Sequence, residues 1–417
     1  IWLSHTKTKL CTQRCDNCIV PMNVRVIGAG VSSAAFCARL LELVPTASIV
    51  VSEMGRGVGG RCSKREWSQP ITHGCPAFDV QSDAFQHVVD TWVQDKVAHV
   101  WDPLHLGVLD TDAQTYAPVP SGKHRLYQLD AKALFEALPK SSVEFQPNTL
   151  IDRLTFADTT STWLCNDETT DHDWLVATSP LIAHRTRWGA RFPDNSPEPP
   201  LSLALNAMGE DHTPLLEALN DVRSTSITTL LTEFRGEAAT HFAAHVPFDM
   251  VHIQNDAVLG KMVCQKNDRG FVVVSHSTPD YSAKVKRLKL RGEGEREWWR
   301  WPSKDAKHRK QHAADMQSAL VECFTVLPGF DGDTLQSWVD SVNDRKGKGM
   351  SEMHTWGAAF PTCRGDYFEE ELSRVVEQSK LVLCGDYFGK APARVETAVL
   401  SGRDAAEKLA KQMERGS

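Results

Sequence analysis

The chain has 417 residues, more than one compact core usually holds, so two interlocked domains are expected. Hydrophobic residues make up 41% and charged residues 24%, the composition of an ordinary globular protein. With 46 Lys and Arg against 53 Asp and Glu there is no basic excess of the kind nucleic-acid binders carry, and no run reaches the roughly 18 uncharged apolar residues of a membrane span.

Residues 1–21 hold Cys11, Cys15 and Cys18, a spacing that can ligate an iron–sulfur cluster, although too little chain precedes it for the barrel strand such motifs need. The other reading is a leader or extension, with the first convincing strand following Met22. The remaining cysteines are scattered as in a reducing compartment, so a soluble intracellular protein is expected, cytoplasmic or organellar if 1–21 is a leader.

Asn23-Val-Arg-Val-Ile27 reads as a buried parallel strand, Val31 to Leu43 as a helix, and Ser48-Ile-Val-Val-Ser52 as a second strand. Together they form a βαβ unit. Further on, 126–138 reads as a helix, while 143–145, 150–156, 162–165 and 174–177 read as strands. The four prolines of 191–200 suggest a crossover between domains. Strands are expected at 226–234 and 270–275, and a helix at 313–326. The stretch 284–310 carries eleven Lys and Arg against four acidic residues, with Trp298, Trp299 and Trp301 among them. It reads either as a solvated insertion or as a surface for RNA or an anionic membrane.

Three segments carry chemistry. In Gly28-Ala29-Gly30-Val31-Ser32-Ser33 the first glycine allows a tight turn, Gly30 lets backbone approach a pyrophosphate, and the helix N-terminus at Val31 and Ser32 supplies free N–H groups. Glu53, ending the second strand, can accept hydrogen bonds from a ribose, though an ordinary surface glutamate is the alternative. Gly55-Arg56-Gly57-Val58-Gly59-Gly60-Arg61 can form a second anion cradle or a flexible surface loop. More than 300 residues later a buried strand, 381–384, runs into Gly385-Asp386, followed by Arg394-Val395-Glu396 opening a long amphipathic helix. An Asp there can bind a ribityl hydroxyl, and the helix N-terminus can stabilise negative charge on a flavin ring.

These motifs, in this order, resemble the flavin amine oxidase superfamily and, within it, the renalase-like enzymes. The resemblance runs from about Asn23 to Leu409. Residues 72–78 (Thr-His-Gly-Cys-Pro-Ala-Phe) resemble the family's Asp-His-Gly-Ala-Gln-Tyr-Phe segment, with Pro76 and Ala77 where the family has Gln and an aromatic. Residues 176–180, 275–281 and 353–359 resemble the proline-ended crossover strand, a strand end of the substrate domain and the tryptophan strand leading back to the cofactor.

The resemblance implies an α/β fold in which a Rossmann-like FAD/NAD(P)-binding domain is interrupted by a substrate domain of mixed β-sheet and helices. The expected division gives 22–80, 125–185 and 345–417 to the first and 81–124 with 186–344 to the second. FAD is the implied cofactor, held by Gly28, Gly30, Val31, Ser32, Glu53, Arg56, Gly60, Arg61, Gly385, Asp386, Arg394, Val395 and Glu396. His73, Lys266 and Trp356 are the implied catalytic residues, and no metal is expected. The implied reaction passes hydride from a small reduced substrate, a dihydronicotinamide such as an NAD(P)H isomer, with oxygen as acceptor. The alternatives are an amine oxidase or desaturase, and a flavin-binding sensor whose reactive face has decayed. No nucleic acid partner is implied, and the oligomeric state is left open.

Overall fold

A computed structural model describes residues 22–416 except 68–69, 103, 121–124, 167, 193–197, 268–269, 287–288, 291–297, 300–305, 344–348 and 363–365. The cysteine triplet of 1–21 and most of the basic stretch 284–310 lie outside the described residues. Of that stretch, a short ribbon is described in which Lys289–Leu290 pairs with Trp298–Trp299.

The first sheet has six strands in the order 374–376, 381–383, 174–177, 23–27, 48–52, 143–146. All pairings are parallel except the first. Such a sheet is covered on both faces, and its strands are correspondingly apolar. Val24 and Val26 point towards helices Val31–Leu43 and Val395–Gly416, packing with Phe36, Leu40, Ala406 and Leu409. The opposite face, with Leu175, Ala177 and Leu383, packs against Trp163 of the hairpin 154–165. Arg25 is also fully buried, and its guanidinium donates to His172, Ser52, Gln146 and Glu168.

The chain leaves strand 23–27 towards one edge and returns on its other side at 174–177, so the order of strand addition reverses between these two parallel strands. In open α/β sheets this switch point, at the carboxyl ends of the strands, is where a ligand can enter.

The second sheet has seven strands ordered 349–362, 223–234, 270–277, 259–267, 250–254, 106–110, 115–118. Its pairings are antiparallel except 250–254 with 106–110. Strand Gly270–Ser277 is buried at every position, as a central strand covered on both faces must be. One face packs on helices through Phe242, Phe271, Leu320 and Phe324. The other meets Ile71 of the first domain through Val263, Val272 and Val274.

Several boundaries differ from the sequence reading. Helix Asp83–Gln94, expected in the substrate domain, packs through Phe85, Val89 and Trp92 on Val31, Ala34 and Val399 of the first. Strand Gly349–Thr362, assigned above to the first domain, is an edge of the seven-stranded sheet. The helix expected over 126–138 begins only at Ala131, because Asp130 caps it by accepting from the Lys132 and Ala133 N–H groups while Tyr127–Leu129 pairs with Ala98–Val100. Of the strand expected at 150–156 only Leu154–Ala157 pairs; the N–H groups of Asp152 and Arg153 donate instead to the Asn166 side chain. Among the described residues no helix is long and apolar enough to cross a membrane.

Candidate functional site

Three strand ends of the parallel sheet converge. Gly28 follows the first strand with φ +101°, and a Cβ there would stand 2.6 Å from Thr178 Oγ1 at the end of strand 174–177. Gly385, φ +145°, follows strand 381–383, and a Cβ there would lie 2.8 Å from the Thr178 carbonyl. Both glycines therefore hold conformations and clearances that a side chain would not tolerate. Gly30 is different. It caps helix Val31–Leu43 with an ordinary backbone and no side-chain cap, and a Cβ on it would meet nothing within 4 Å. The first turn of this helix has N–H groups without intrahelical partners, and the open space beside Gly30 at its start suits an anion.

The second glycine loop lies against the first. Gly59 N donates to Ala29 O at 2.7 Å, and Gly60, φ +54°, approaches the Gly30 Cα. Arg61, one residue on, forks onto both Asp386 oxygens at 2.6 and 2.7 Å and also donates to Ala359 O. This pairing raises the Arg61 pKa against the opposing effect of burial. The two motifs thus meet across the switch point.

Arg187, from helix Arg185–Arg191, adds a second guanidinium near Arg61 and Asp386, and its Nη2 is buried with no hydrogen-bond partner. Burial, and then the neighbouring Arg61 charge, pull its pKa down to about 10. Two guanidiniums facing one carboxylate leave unbalanced positive charge. Together with the open space beside Gly30, they fit a pyrophosphate-bearing dinucleotide.

Other expected ligands are engaged within the protein. Glu53 accepts from Ala29 N at 2.9 Å and Gly55 N at 2.6 Å, so it braces the two glycine loops. Arg394 pairs with Asp79 at 2.6 Å, and the buried Glu396 accepts from Gln81 N, so both tie the last helix to residues 79–81. Val395 is buried in the same helix turn and Arg56 is exposed. Val31 and Ser32 are buried at the start of their helix, where Ser32 O abuts Gly402.

Beside Arg61 lies a cluster of rings. A Cβ on Gly74 would stand 2.3 Å from Arg61 O and 2.8 Å from Trp356 Cζ2, so the 72–78 loop is pressed between them. His73 stands with ring centroids 5.0 Å from both Trp356 and His354. His73 Nδ1 and Trp356 Nε1 are buried with no hydrogen-bond partner, a cost that a polar ligand would remove. Behind them, His276 hydrogen-bonds the His73 carbonyl at 3.1 Å, and Lys261 is its register partner on the neighbouring strand.

Lys266 is not brought into this cluster. Strand Leu259–Asn267 alternates faces: Gln265 reaches Thr72 O at 3.1 Å and Val263 packs towards Ile71, while Met262 and Cys264 pack under the helices. Lys261 shares the face of Val263 and Gln265; Lys266 is in the other phase and exposed. Neither Lys261 nor Arg187 is marked locally in the sequence: the phase of the Lys261 strand that faces Ile71 and Thr72 is set by tertiary packing, and Arg187 stands in no motif. An open groove of about 730 Å³ lined by His212, Tyr367, Arg374 and Lys411 carries none of the motif residues. Its lining reaches the far end of the last helix, about 24 Å of helix beyond Val395.

The histidines here are held neutral. Burial, followed by the charges of His354 and Arg65, lowers His73 to about 3; burial, then Arg65, lowers His354 to about 4. His172 falls to about 4 and His276 falls well below its ordinary value, each chiefly through burial. Neutral imidazoles here serve as hydrogen-bonding groups and not as cationic acids. Below pH about 6.5 the unfolded chain takes up protons that the folded chain refuses, so stability falls as the pH drops towards 4. The expected loss between pH 7 and 5 is about 1–2 kcal/mol for each buried imidazole. Urea unfolding at pH 7, 6 and 5 measures it, and an unchanged midpoint would contradict the assignment.

No protein-family model matches the chain, and no curated protein matches it. Solved structures do. A protein described as a protoporphyrinogen oxidase from Exiguobacterium sp. 255-15 is 11% identical, with a TM-score of 0.54 over 94% of this chain and 99% of that one. Cyclohexylamine oxidase from Brevibacterium oxydans IH-35A is 11% identical, with a TM-score of 0.58 over 94% of this chain and 100% of that one. The chain has the fold of these oxidases. The shared architecture is a Rossmann-like domain carrying a second, substrate-type domain, as the order of motifs implied.

Proposed function

We propose that the protein is an FAD-dependent oxidoreductase acting on a small, polar reduced substrate. The observation that carries this reading is the meeting of Gly28, Thr178 and Gly385 at the switch point, with Arg61 and Arg187 beside an open helix N-terminus. In this reading Gly30, Arg61 and Arg187 would hold the pyrophosphate, Asp386 would accept from the ribityl chain, and His73, His354 and Trp356 would line the side of the flavin ring. FAD, when bound, supplies a two-electron acceptor for hydride. The protein's own groups bind and orient: Trp356 Nε1 donates, neutral His73 Nδ1 donates or accepts, and Lys261 sets positive charge behind them.

Those two unpartnered polar atoms favour a substrate with hydrogen-bonding groups on its ring face, such as a dihydronicotinamide, with oxygen as the final acceptor. The names of the structural neighbours support the second reading, an oxidase for amines or apolar rings. Anaerobic mixing of the flavin-loaded protein with dihydronicotinamide isomers, amines and a tetrapyrrole precursor separates the two. Bleaching of the flavin absorbance by a dihydronicotinamide is the expected result. Bleaching by amines alone would replace the substrate class, and bound flavin that no donor reduces would leave a binding module.

A further inference from the structure

We propose that Cys62 and Cys75 form a redox-active dithiol that closes to a disulfide by exchange with small aliphatic disulfides. The two belong to different loops, the short turn Gly60–Cys62 and the segment 72–78, and the fold brings them together. Cys75 N donates to Arg61 O at 2.8 Å, which sets Cys75 one peptide unit from Cys62 and brings each thiol close enough to act on the other. Disulfide-bonded residues have Cα atoms about 4.4–6.8 Å apart, a range compatible with this backbone contact. Cys75 Sγ also lies 3.3 Å from Ala77 O.

The pair is asymmetric in the way exchange requires. Cys75 is half-buried, whereas Cys62 is 6% exposed, so a small disulfide reaches Cys75 first. The neighbouring Cys62 thiol and the charges of Lys261 and Arg61 lower the Cys75 pKa against the opposing effect of burial. Cys62 moves the other way, raised first by the neighbouring Cys75 and then by burial. By contrast Cys37, Cys165, Cys264, Cys323 and Cys384 are buried thiols whose pKa values burial raises.

The chemistry balances within the pair and one disulfide. The Cys75 thiolate attacks one sulfur of the small disulfide, forming a mixed disulfide and expelling a thiolate. Cys62 gives its proton to that thiolate and attacks Cys75 Sγ, closing the Cys62–Cys75 bond and expelling the second thiolate, which takes the proton that Cys75 had lost. Two protein thiols are oxidised and one small disulfide becomes two thiols. The bond would tie the 72–78 loop, which touches Trp356, to the turn that follows Arg61.

The full-length protein incubated with oxidised glutathione and mapped by mass spectrometry tests this. The expected product is one crosslinked peptide pair, Cys62 with Cys75, lighter by two hydrogens and reversed by reduced glutathione. Cys62→Ser should instead accumulate a glutathione adduct on Cys75, a result that needs no disulfide geometry. Both thiols remaining open to alkylation, or a wild-type protein that stops at the glutathione adduct, would overturn the proposal. None of these readouts involves flavin, so they stand apart from the reading above.

Discussion

Gly30→Val is expected to reduce FAD affinity at least about 100-fold, a change of about 2.7 kcal/mol, while leaving the fold almost untouched. Glycine turns are usually constrained by their own backbone, and their substitution then unfolds the chain without reporting on ligands. Gly30 escapes that confusion. Its φ of −82° suits any residue, and a Cβ would meet no atom within 4 Å. A glycine at a helix N-cap exceeds a poor capping residue by only about 1 kcal/mol or less. The valine methyls would therefore occupy only the space where the proposed pyrophosphate passes. Flavin titration followed by fluorescence, beside thermal unfolding of the unliganded protein, separates the two effects. A variant that binds flavin normally would remove the dinucleotide from this turn.

Gly402→Val should do the reverse and damage the fold itself. A Cβ at this position would lie 2.2 Å from Ser32 O and 3.1 Å from Phe36 N, so helices Val31–Leu43 and Val395–Gly416 touch backbone to backbone. Neither can yield easily. The first packs on the parallel sheet through Phe36 and Leu40, and the second through Ala406 and Leu409. Overpacked cores cost about 1–3 kcal/mol, and a clash with backbone belongs at the upper end. A loss of about 3 kcal/mol in urea unfolding is expected, with flavin binding weakened as the strand-end turns lose support. Gly402→Ala should show a smaller loss of the same sign. A valine variant as stable as the parent would mean that the two helices do not meet at Ser32.

What the sequence displayed was whatever is encoded locally. Gly28, Gly30 and Gly385 each follow a short apolar strand, and a strand running into a glycine turn can be read without knowing what lies across from it. The pairing of Arg61 with Asp386 could be anticipated only as a shared destination, since 325 positions separate them. Glu53, Arg394 and Glu396 had the right chemistry for a ligand, yet each carboxylate or guanidinium meets a protein partner whose nearness is a tertiary fact. Lys266 and Lys261 differ in strand phase. The strand was visible, but which phase faces the first domain depends on Ile71 and Thr72 arriving from almost 200 residues earlier. Arg187 stood in no motif. Its significance comes from a helix that sets it near Arg61 and Asp386.

The clasp between the first and last helices also sets a timetable for the molecule. Arg39 holds Glu407 from 368 positions away, and the Gly28 turn shares Thr178 with Gly385. A chain emerging from the ribosome can build strands 23–27, 48–52 and 143–146 early, but it cannot finish their sheet until strand 381–383 has followed, 235 residues beyond position 146. Such long-range closure is slow, and until it happens the apolar face that awaits Leu409 stays uncovered. Newly made chains should thus depend on protection from aggregation for longer than their size alone would suggest.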